Sequence, residues 1–322
     1  MAASSRLVSP DGAPLMDARE SSGATARVLE PAPPVLVPDP GTVFLQRARR
    51  FKALAKHHAL GDWLRFLGHL SSAQHEALKK VAGLPLPDPT AIERAQRDRV
   101  PPVPALGWRL PDAWRDALLR IVAATRRHAP PPAARSLADL EGTPAAQLDA
   151  LAQRVLRGDR RPRDTDLAPF VAAALQVVWT SAAAGLGRAG IRPLDAGAVC
   201  PCCGSAPVAS VVRDAGETRN LRYLHCSLCN TEWNMVRVKC AACESGMAVS
   251  YRHLGGSDLA AAPAVRAETC DECMSYLKIV YRDKAPAADP VADDLATLAL
   301  DILVNEAGYA RAGPNLLFLP GG

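Results

Sequence analysis

Cys200-Pro201-Cys202-Cys203 opens a region in which the pattern C-x-x-C occurs four times; the other three pairs are Cys226/Cys229, Cys240/Cys243 and Cys270/Cys273. A C-x-x-C turn, here called a knuckle, brings two sulfurs to one point. Two facing knuckles make the tetrahedral four-sulfur site that zinc and iron prefer. The eight paired cysteines therefore predict two metal sites, and Cys202 is the single cysteine outside the pattern.

The spacing of the knuckles favours two sites built from consecutive pairs. The stretches 204–225 and 244–269 lie a little above the usual separation within a four-cysteine site, whereas 230–239 is short and suits a connection between sites. The first predicted metal site comprises Cys200, Cys203, Cys226 and Cys229, and the second comprises Cys240, Cys243, Cys270 and Cys273. A cross-brace, which joins the first pair to the third and the second to the fourth, fits the same spacing and stays open.

Two other uses of clustered cysteines fit less well. Disulfide frameworks belong to small secreted domains, whereas this chain has 322 residues and no signal peptide is recognised in it. A thioredoxin-type dithiol normally has one C-x-x-C on a βαβ unit. Metal binding in a cytoplasmic protein is therefore the preferred interpretation.

Composition and motifs exclude several classes of function. Net charge is +5, from 38 basic and 33 acidic residues, which is too balanced to require nucleic acid or an anionic membrane as a partner. Since no apolar run reaches about 18 residues, we expect no stable insertion into a membrane. The sequence also lacks a nucleophile elbow, a phosphate-binding loop and an H-E-x-x-H motif. We predict a protein that is not an enzyme and has no catalytic residues.

Changes in composition predict an α+β protein in five parts. Residues 1–40 are rich in alanine and proline and are expected to be a disordered tail. Apolar residues at helical spacing predict a helical domain over residues 41–190. Alternating β-branched and aromatic residues then predict short antiparallel ribbons, and hence a first metal module at 191–234 and a second at 235–285. A helix and tail follow at 286–322.

Helix boundaries in this scheme follow from capping residues and prolines. Asp112 is predicted to cap one helix of the N-terminal domain, 136–158 is predicted to be a single helix, and the apolar run Phe170–Trp179 is expected at the centre of the helical core. The C-terminal helix is predicted over Val291–Ala307, with Asp289 as its N-terminal cap.

Two further groups of residues are candidate sites that we interpret as structural. The histidines of the first helices, His57, His58, His69 and His75, have no cysteine or carboxylate at ligand spacing, so solvated helix faces are favoured. Asp293, Asp294 and Asp301 could form a carboxylate site, but favourable charge at the start of a helix explains the first two.

Several motifs together resemble those of the formate dehydrogenase accessory protein FdhE family: Cys200-Pro201-Cys202-Cys203-Gly204, Leu221-Arg222-Tyr223-Leu224-His225-Cys226, Glu268-Thr269-Cys270-Asp271-Glu272-Cys273, Ala292-Asp293-Asp294-Leu295-Ala296 and Glu306-Ala307-Gly308-Tyr309. The resemblance covers roughly residues 40–320. It implies a helical domain followed by two rubredoxin-like modules, with iron as the usual metal. It also implies a cytoplasmic factor that contacts the molybdenum- or tungsten-containing catalytic subunit of formate dehydrogenase during maturation.

Cys202 departs from the family pattern and could exchange with Cys203 as a ligand. Gly204 favours Cys203, because glycine permits the positive φ of a knuckle. The expected function is therefore a maturation chaperone with two four-cysteine sites, iron being preferred and zinc the alternative. A rubredoxin-like electron carrier and a zinc-ribbon nucleic-acid module are the other hypotheses, and self-association is left open.

Overall fold

A computed structural model describes residues 32–159, 161–215, 218–254 and 263–318. Most of the predicted disordered tail, residues 1–31, lies outside this range. The prediction is wrong for the end of the tail, where Val35–Leu36 form strand β1. This strand pairs with Glu232–Asn234, so residues before the helical domain belong to the sheet that carries the cysteines.

The N-terminal domain is helical, as predicted, and its long helices surround α7. The helices are α1 (Val43–Leu54), α2 (Gly61–Leu78), α3 (Pro89–Arg97), α4 (Ala113–Thr125), α5 (Pro131–Gly142), α6 (Ala145–Arg157) and α7 (Ala168–Gly190). The prediction of a single helix over 136–158 is wrong, because the structure has two helices there, α5 and α6. Pro144 disfavours a helical conformation at Thr143 and so separates them. Asp112 is not the predicted cap, since its backbone is helical and its carboxylate accepts from Arg115.

Helix α7 forms the centre of the helical core. The run Phe170–Trp179 is buried throughout, and the Trp179 indole Nε1 donates to the Val103 carbonyl at 3.1 Å. Within the described part of the chain, α7 is the one helix whose length and composition would suit a membrane span, but 72% of its most apolar window is buried inside the protein. Its apolar character is therefore accounted for by packing.

The cysteine region forms one mixed sheet. Its other strands are β2 (Pro207–Ala215), β3 (Thr218–Cys226), β4 (Glu232–Asn234), β5 (Val249–Arg252), β6 (Val265–Cys270), β7 (Ser275–Tyr281) and β8 (Ala310–Arg311). The strand order is β1-β4-β3-β2-β7-β6-β5, with β8 beside β7. The antiparallel ribbons β2-β3-β4 and β5-β6-β7 confirm the expected strands.

The two ribbons are joined by a parallel pairing that the sequence analysis did not anticipate. Ser210, Val211 and Val212 of β2 lie opposite Ile279, Val280 and Tyr281 of β7. The ribbons therefore share one continuous sheet, and each gains buried area that it would lack alone.

The C-terminal helix is interrupted. Asp289 caps it as predicted, since its carboxylate accepts from the N–H groups of Val291 and Ala292. The prediction of a single helix is wrong, however, because this segment forms two helices, α8 (Pro290–Leu295) and α9 (Leu298–Glu306). At the break, the buried ammonium of Lys278 donates to the carbonyls of Asp294 (2.7 Å) and Thr297 (3.0 Å). The break thus provides main-chain acceptors for a buried cation.

Candidate metal centres

The first cysteine cluster is fully enclosed. The Sγ atoms of Cys200 and Cys229 are 3.4 Å apart, as are those of Cys203 and Cys226, and all four residues are buried. All four sulfurs lie within 4.8 Å of one another. Because a disulfide bond requires about 2.05 Å, these cysteines are free thiols gathered at one point.

The second cluster has the same composition but lies closer to solvent. Cys240 and Cys273 have Sγ atoms 3.7 Å apart, and so have Cys243 and Cys270. Cys243 and Cys273 are exposed, whereas Cys240 and Cys270 are buried. The sulfurs are therefore grouped by consecutive knuckles, and the cross-brace is not formed.

Each cluster fits one four-coordinate metal ion. Metal–sulfur bonds of about 2.3 Å in a tetrahedron separate neighbouring sulfurs by about 3.8 Å. The 3.7 Å separations of the second cluster match this value, and the 3.4 Å separations of the first are slightly more compact. All ligand atoms are sulfur, which suits iron and zinc alike. That these eight residues bind metal stays a prediction, which the geometry supports.

Each knuckle ends in a residue with a left-handed backbone. The φ values are +75° at Gly204, +59° at Asn230, +61° at Glu244 and +51° at Met274. This conformation closes the turn. Inside the turn, main-chain N–H groups also point at sulfur, as in the 3.3 Å contact from the Leu228 N–H to Cys226. Sequence reasoning identified Gly204 alone. Asn230 offered a signal, because asparagine tolerates positive φ, but Glu244 and Met274 offered none.

Cys202 lies beside the first cluster without joining it. A hydrogen bond with Cys229 and burial raise the pKa of its thiol well above the usual value, so Cys202 stays protonated. Its carbonyl accepts from the Val103 N–H at 3.2 Å, and the Cys203 carbonyl accepts from the Ala105 N–H at 2.8 Å. The first knuckle is therefore attached directly to the helical domain.

The thiols of the second cluster differ in acidity. Burial opposes ionisation of Cys240, but the N–H groups of Cys243 and Ala242 outweigh it and lower the Cys240 pKa to about 7. The Ser245 N–H favours ionisation of Cys243, yet burial and hydrogen bonds with the neighbouring thiols raise its pKa to about 12. A metal ion that binds here as a tetrathiolate complex must therefore displace protons.

Asn230 connects the first cluster to three helices. Its Oδ1 accepts from Arg47 Nη2 at 2.7 Å, and its Nδ2 donates to Thr180 Oγ1 at 2.8 Å. The Arg47 side chain is fully buried and also binds the Asp289 carboxylate at 3.1 Å. One knuckle residue thereby links α1, α7 and the cap of α8.

Arg222 connects the two clusters. Its buried guanidinium on β3 donates to the carbonyl of Lys239 at 2.6 Å and to Glu268 Oε1 on β6 at 2.6 Å. Lys239 directly precedes Cys240, and Glu268 lies two residues before Cys270. Burial raises the pKa of Glu268 to about 7, although the positive charge of Arg222 acts to lower it. This ion pair sets the position of the second cluster relative to the first ribbon.

The aspartates considered as a carboxylate site are engaged in ion pairs. Asp293 binds Arg50 at 2.5 Å. Asp294 binds Arg311 at 2.7 Å, and Asp301 binds Lys278 at 2.5 Å. These contacts join α8 and α9 to the sheet and to α1, which favours the structural interpretation. Among the described residues, the two cysteine clusters are the groups of three or more potential ligands that lie close enough to hold an ion.

Comparison with known proteins places the chain in a family. Family models described as FdhE, N-terminal, FdhE, central domain, and FdhE, C-terminal domain match residues 32–195, 199–237 and 238–318. The chain belongs to the FdhE family. Membership supports an accessory role in formate dehydrogenase maturation and confirms the resemblance drawn from the motifs.

Individual FdhE relatives agree over nearly the whole chain. The "Protein FdhE homolog" of Edwardsiella ictaluri (strain 93-146) is 41% identical over 95% of this chain and 96% of its own length. "Protein FdhE" of Escherichia coli O1:K1 / APEC is 35% identical over 94% of this chain and 96% of its own length. The crystal structure of the FdhE protein from Pseudomonas aeruginosa superimposes with a TM-score of 0.79 at 34% identity, covering 91% of this chain and 100% of that one. The predicted α+β class, with its helical N-terminal region, is therefore confirmed.

Proposed function

We propose that this FdhE family member is a cytoplasmic maturation factor that binds the catalytic subunit of formate dehydrogenase. In this proposal each cysteine cluster holds one metal ion, iron being preferred and zinc the alternative. The ligands are Cys200, Cys203, Cys226 and Cys229 at the first cluster, and Cys240, Cys243, Cys270 and Cys273 at the second. Family membership over nearly the full chain is the observation that carries the accessory role.

The geometry of the clusters supports binding rather than catalysis. A metal ion held by four thiolates has no open position for a substrate or an activated water. Each cluster lies at one end of a ribbon. Strand β3 ends at Cys226 of the first cluster, and β6 ends at Cys270 of the second. Metal–thiolate bonds at these points would stabilise the sheet and any surface built on it.

Co-purification tests the proposal. The full-length chain is co-expressed with an affinity-tagged precursor of a formate dehydrogenase catalytic subunit, and the amount retained on the tag is measured. We expect stable retention of the wild-type chain. A Cys226→Ser/Cys229→Ser variant is expected to lose metal and retention together, whereas Cys202→Ser serves as a matched cysteine control that leaves both unchanged. Failure of the wild-type chain to be retained would contradict the proposal.

An electron-transfer role is the second candidate, and the exposure of Cys243 and Cys273 favours it. Iron at the second cluster would exchange one electron with a partner, alternating between ferric and ferrous states, and the exposed sulfurs would shorten the path to that partner. The test compares iron-loaded and zinc-loaded protein in restoring formate dehydrogenase activity to a strain that lacks its own FdhE protein. Equal restoration by zinc-loaded protein, with its zinc content verified, excludes this role.

A further inference from the structure

A cleft of about 620 Å³ lies where the helical domain, the first cysteine cluster and the C-terminal segment meet. Its walls are formed by residues 104–106, the end of α6 with the start of α7, the turn after Cys203, and residues 311–316. Protein interiors rarely contain voids larger than a water molecule, and this volume is typical of ligand sites. We propose that the cleft receives an extended segment of the catalytic subunit that carries apolar side chains and at least one carboxylate. This inference rests on the proposed function.

The interior of the cleft is suited to apolar side chains. Leu156, Ala168, Leu228 and Leu316 all line it. Leu106 also lines it and is 55% exposed, so it adds accessible apolar surface to the cleft. An apolar segment of a partner would remove this surface from water, which favours binding.

The charge on one side of the cleft selects an acidic partner. Arg157 and Arg161 both line this side of the cleft. Arg157 is exposed and, within the described ranges, no hydrogen bond or ion pair engages its guanidinium. Arg161 pairs with Asp159 at 3.2 Å, with side chains 47% and 41% exposed, so that pair contributes little and is readily exchanged for another carboxylate.

The other charged groups of the cleft already have partners. Asp164 is bound by Arg154 at 2.5 Å, with both side chains largely buried. Arg311 is held by Asp294 at 2.7 Å. The positive charge available to a ligand is therefore concentrated at Arg157 and Arg161, which points to a carboxylate on the segment that enters the cleft.

The cleft also brings its occupant against the first metal cluster. Cys203 and Gly204 line it, and another part of its wall, residues 104–106, is attached to the same knuckle through the hydrogen bond from the Ala105 N–H to the Cys203 carbonyl. The shape of the cleft thus depends on a folded first cluster. By linkage, a bound segment stabilises that cluster and raises its affinity for metal.

The test measures retention on the tagged catalytic-subunit precursor with two full-length variants, Arg157→Glu/Arg161→Glu and Leu106→Glu. Both alter exposed side chains of the cleft. Matched controls are Arg120→Glu/Arg127→Glu and Leu119→Glu, which replace exposed residues that do not line the cleft. Metal content and unfolding temperature are measured for each protein.

We expect each cleft variant to bind the precursor about tenfold more weakly than the wild-type chain, with metal content unchanged, and the controls to bind as the wild-type chain does. Cleft variants that bind as tightly as the wild-type chain would overturn the cleft assignment and leave the proposed function intact. Controls that weaken binding as much as the cleft variants would overturn it as well. A wild-type chain that binds no precursor would overturn both.

Discussion

Asn230 connects the first cluster to helices α1 and α7 through its side chain. It supplies a positive φ to a knuckle, and its side-chain amide bonds to Arg47 and Thr180. Glycine at this position would preserve the turn and remove the amide. Arg47, which is fully buried, would then lose one of its two acceptor groups.

We therefore expect Asn230→Gly to lower the free energy of unfolding by about 2–3 kcal/mol, since the buried Nη2 of Arg47 loses its acceptor while Nε keeps Asp289. Urea denaturation of the metal-loaded protein measures the change. Met274→Gly is the matched control, because Met274 has the same backbone conformation, is 44% exposed and, among the described residues, has no side-chain hydrogen bond. There we expect no loss and a gain of up to about 1 kcal/mol. Equal destabilisation by both variants would show that backbone conformation, and not the amide, matters at Asn230.

Proton release makes metal binding at the second cluster depend on pH. Cys243, with a pKa of about 12, is protonated at pH 6 and at pH 8 in the metal-free chain, whereas Cys240, with a pKa of about 7, changes state between them. Metal binding displaces these protons, so affinity falls as pH falls. We expect at least about a tenfold loss per pH unit, measured by competition with a chelator of known affinity at each pH. Affinity that is independent of pH would contradict this account.

Among the strands, the ion pair between Arg222 on β3 and Glu268 on β6 joins the two ribbons. Both side chains are almost fully buried. We expect Arg222→Met to cost about 1–3 kcal/mol, because the Glu268 carboxyl and the Lys239 carbonyl would lose their buried donor. Addition of Glu268→Gln is expected to recover part of this loss, since the amide carries no charge.

Denaturation of the two single variants and the double variant forms a cycle that measures this coupling. Arg213→Met is the control, because Arg213 pairs with Glu232 at 3.0 Å but is 32% exposed. A cost of about 1 kcal/mol is expected there. Additive effects of Arg222→Met and Glu268→Gln would show that the pair does not act as a unit.

The elements that could be predicted from the sequence are those determined by neighbouring residues. Alternating residues identified β3 and β7, and Asp289 identified the start of α8. The knuckles were recognised because their spacing repeats. Other features depend on residues far apart in the chain. The parallel pairing of β2 with β7 leaves no local pattern, and the break after α8 accommodates Lys278 from another element.

Considered as a whole, the molecule holds its two clusters in different surroundings. The first lies between the helical domain and the sheet with every cysteine buried, and the second exposes Cys243 and Cys273. We expect a chelator to remove metal in two phases, the faster from the second cluster by at least about tenfold, because the first opens only through larger unfolding. Release is followed with a chromogenic chelator. The fast phase should be absent from a Cys243→Ser/Cys273→Ser variant, and its persistence there would contradict the assignment.

The parallel junction between β2 and β7 has a consequence for synthesis of the chain. The ribosome synthesises β2 and the cysteines of the first cluster before β7. Until β7 is made, the β2 edge of the first ribbon has no partner strand. The edge closes only when nearly all of the chain has been translated, and such long-range pairing is slow to form. During that interval the nascent chain exposes a strand edge to other proteins. We expect newly made FdhE chains to be most prone to aggregation, and most in need of general chaperones, at this stage of translation.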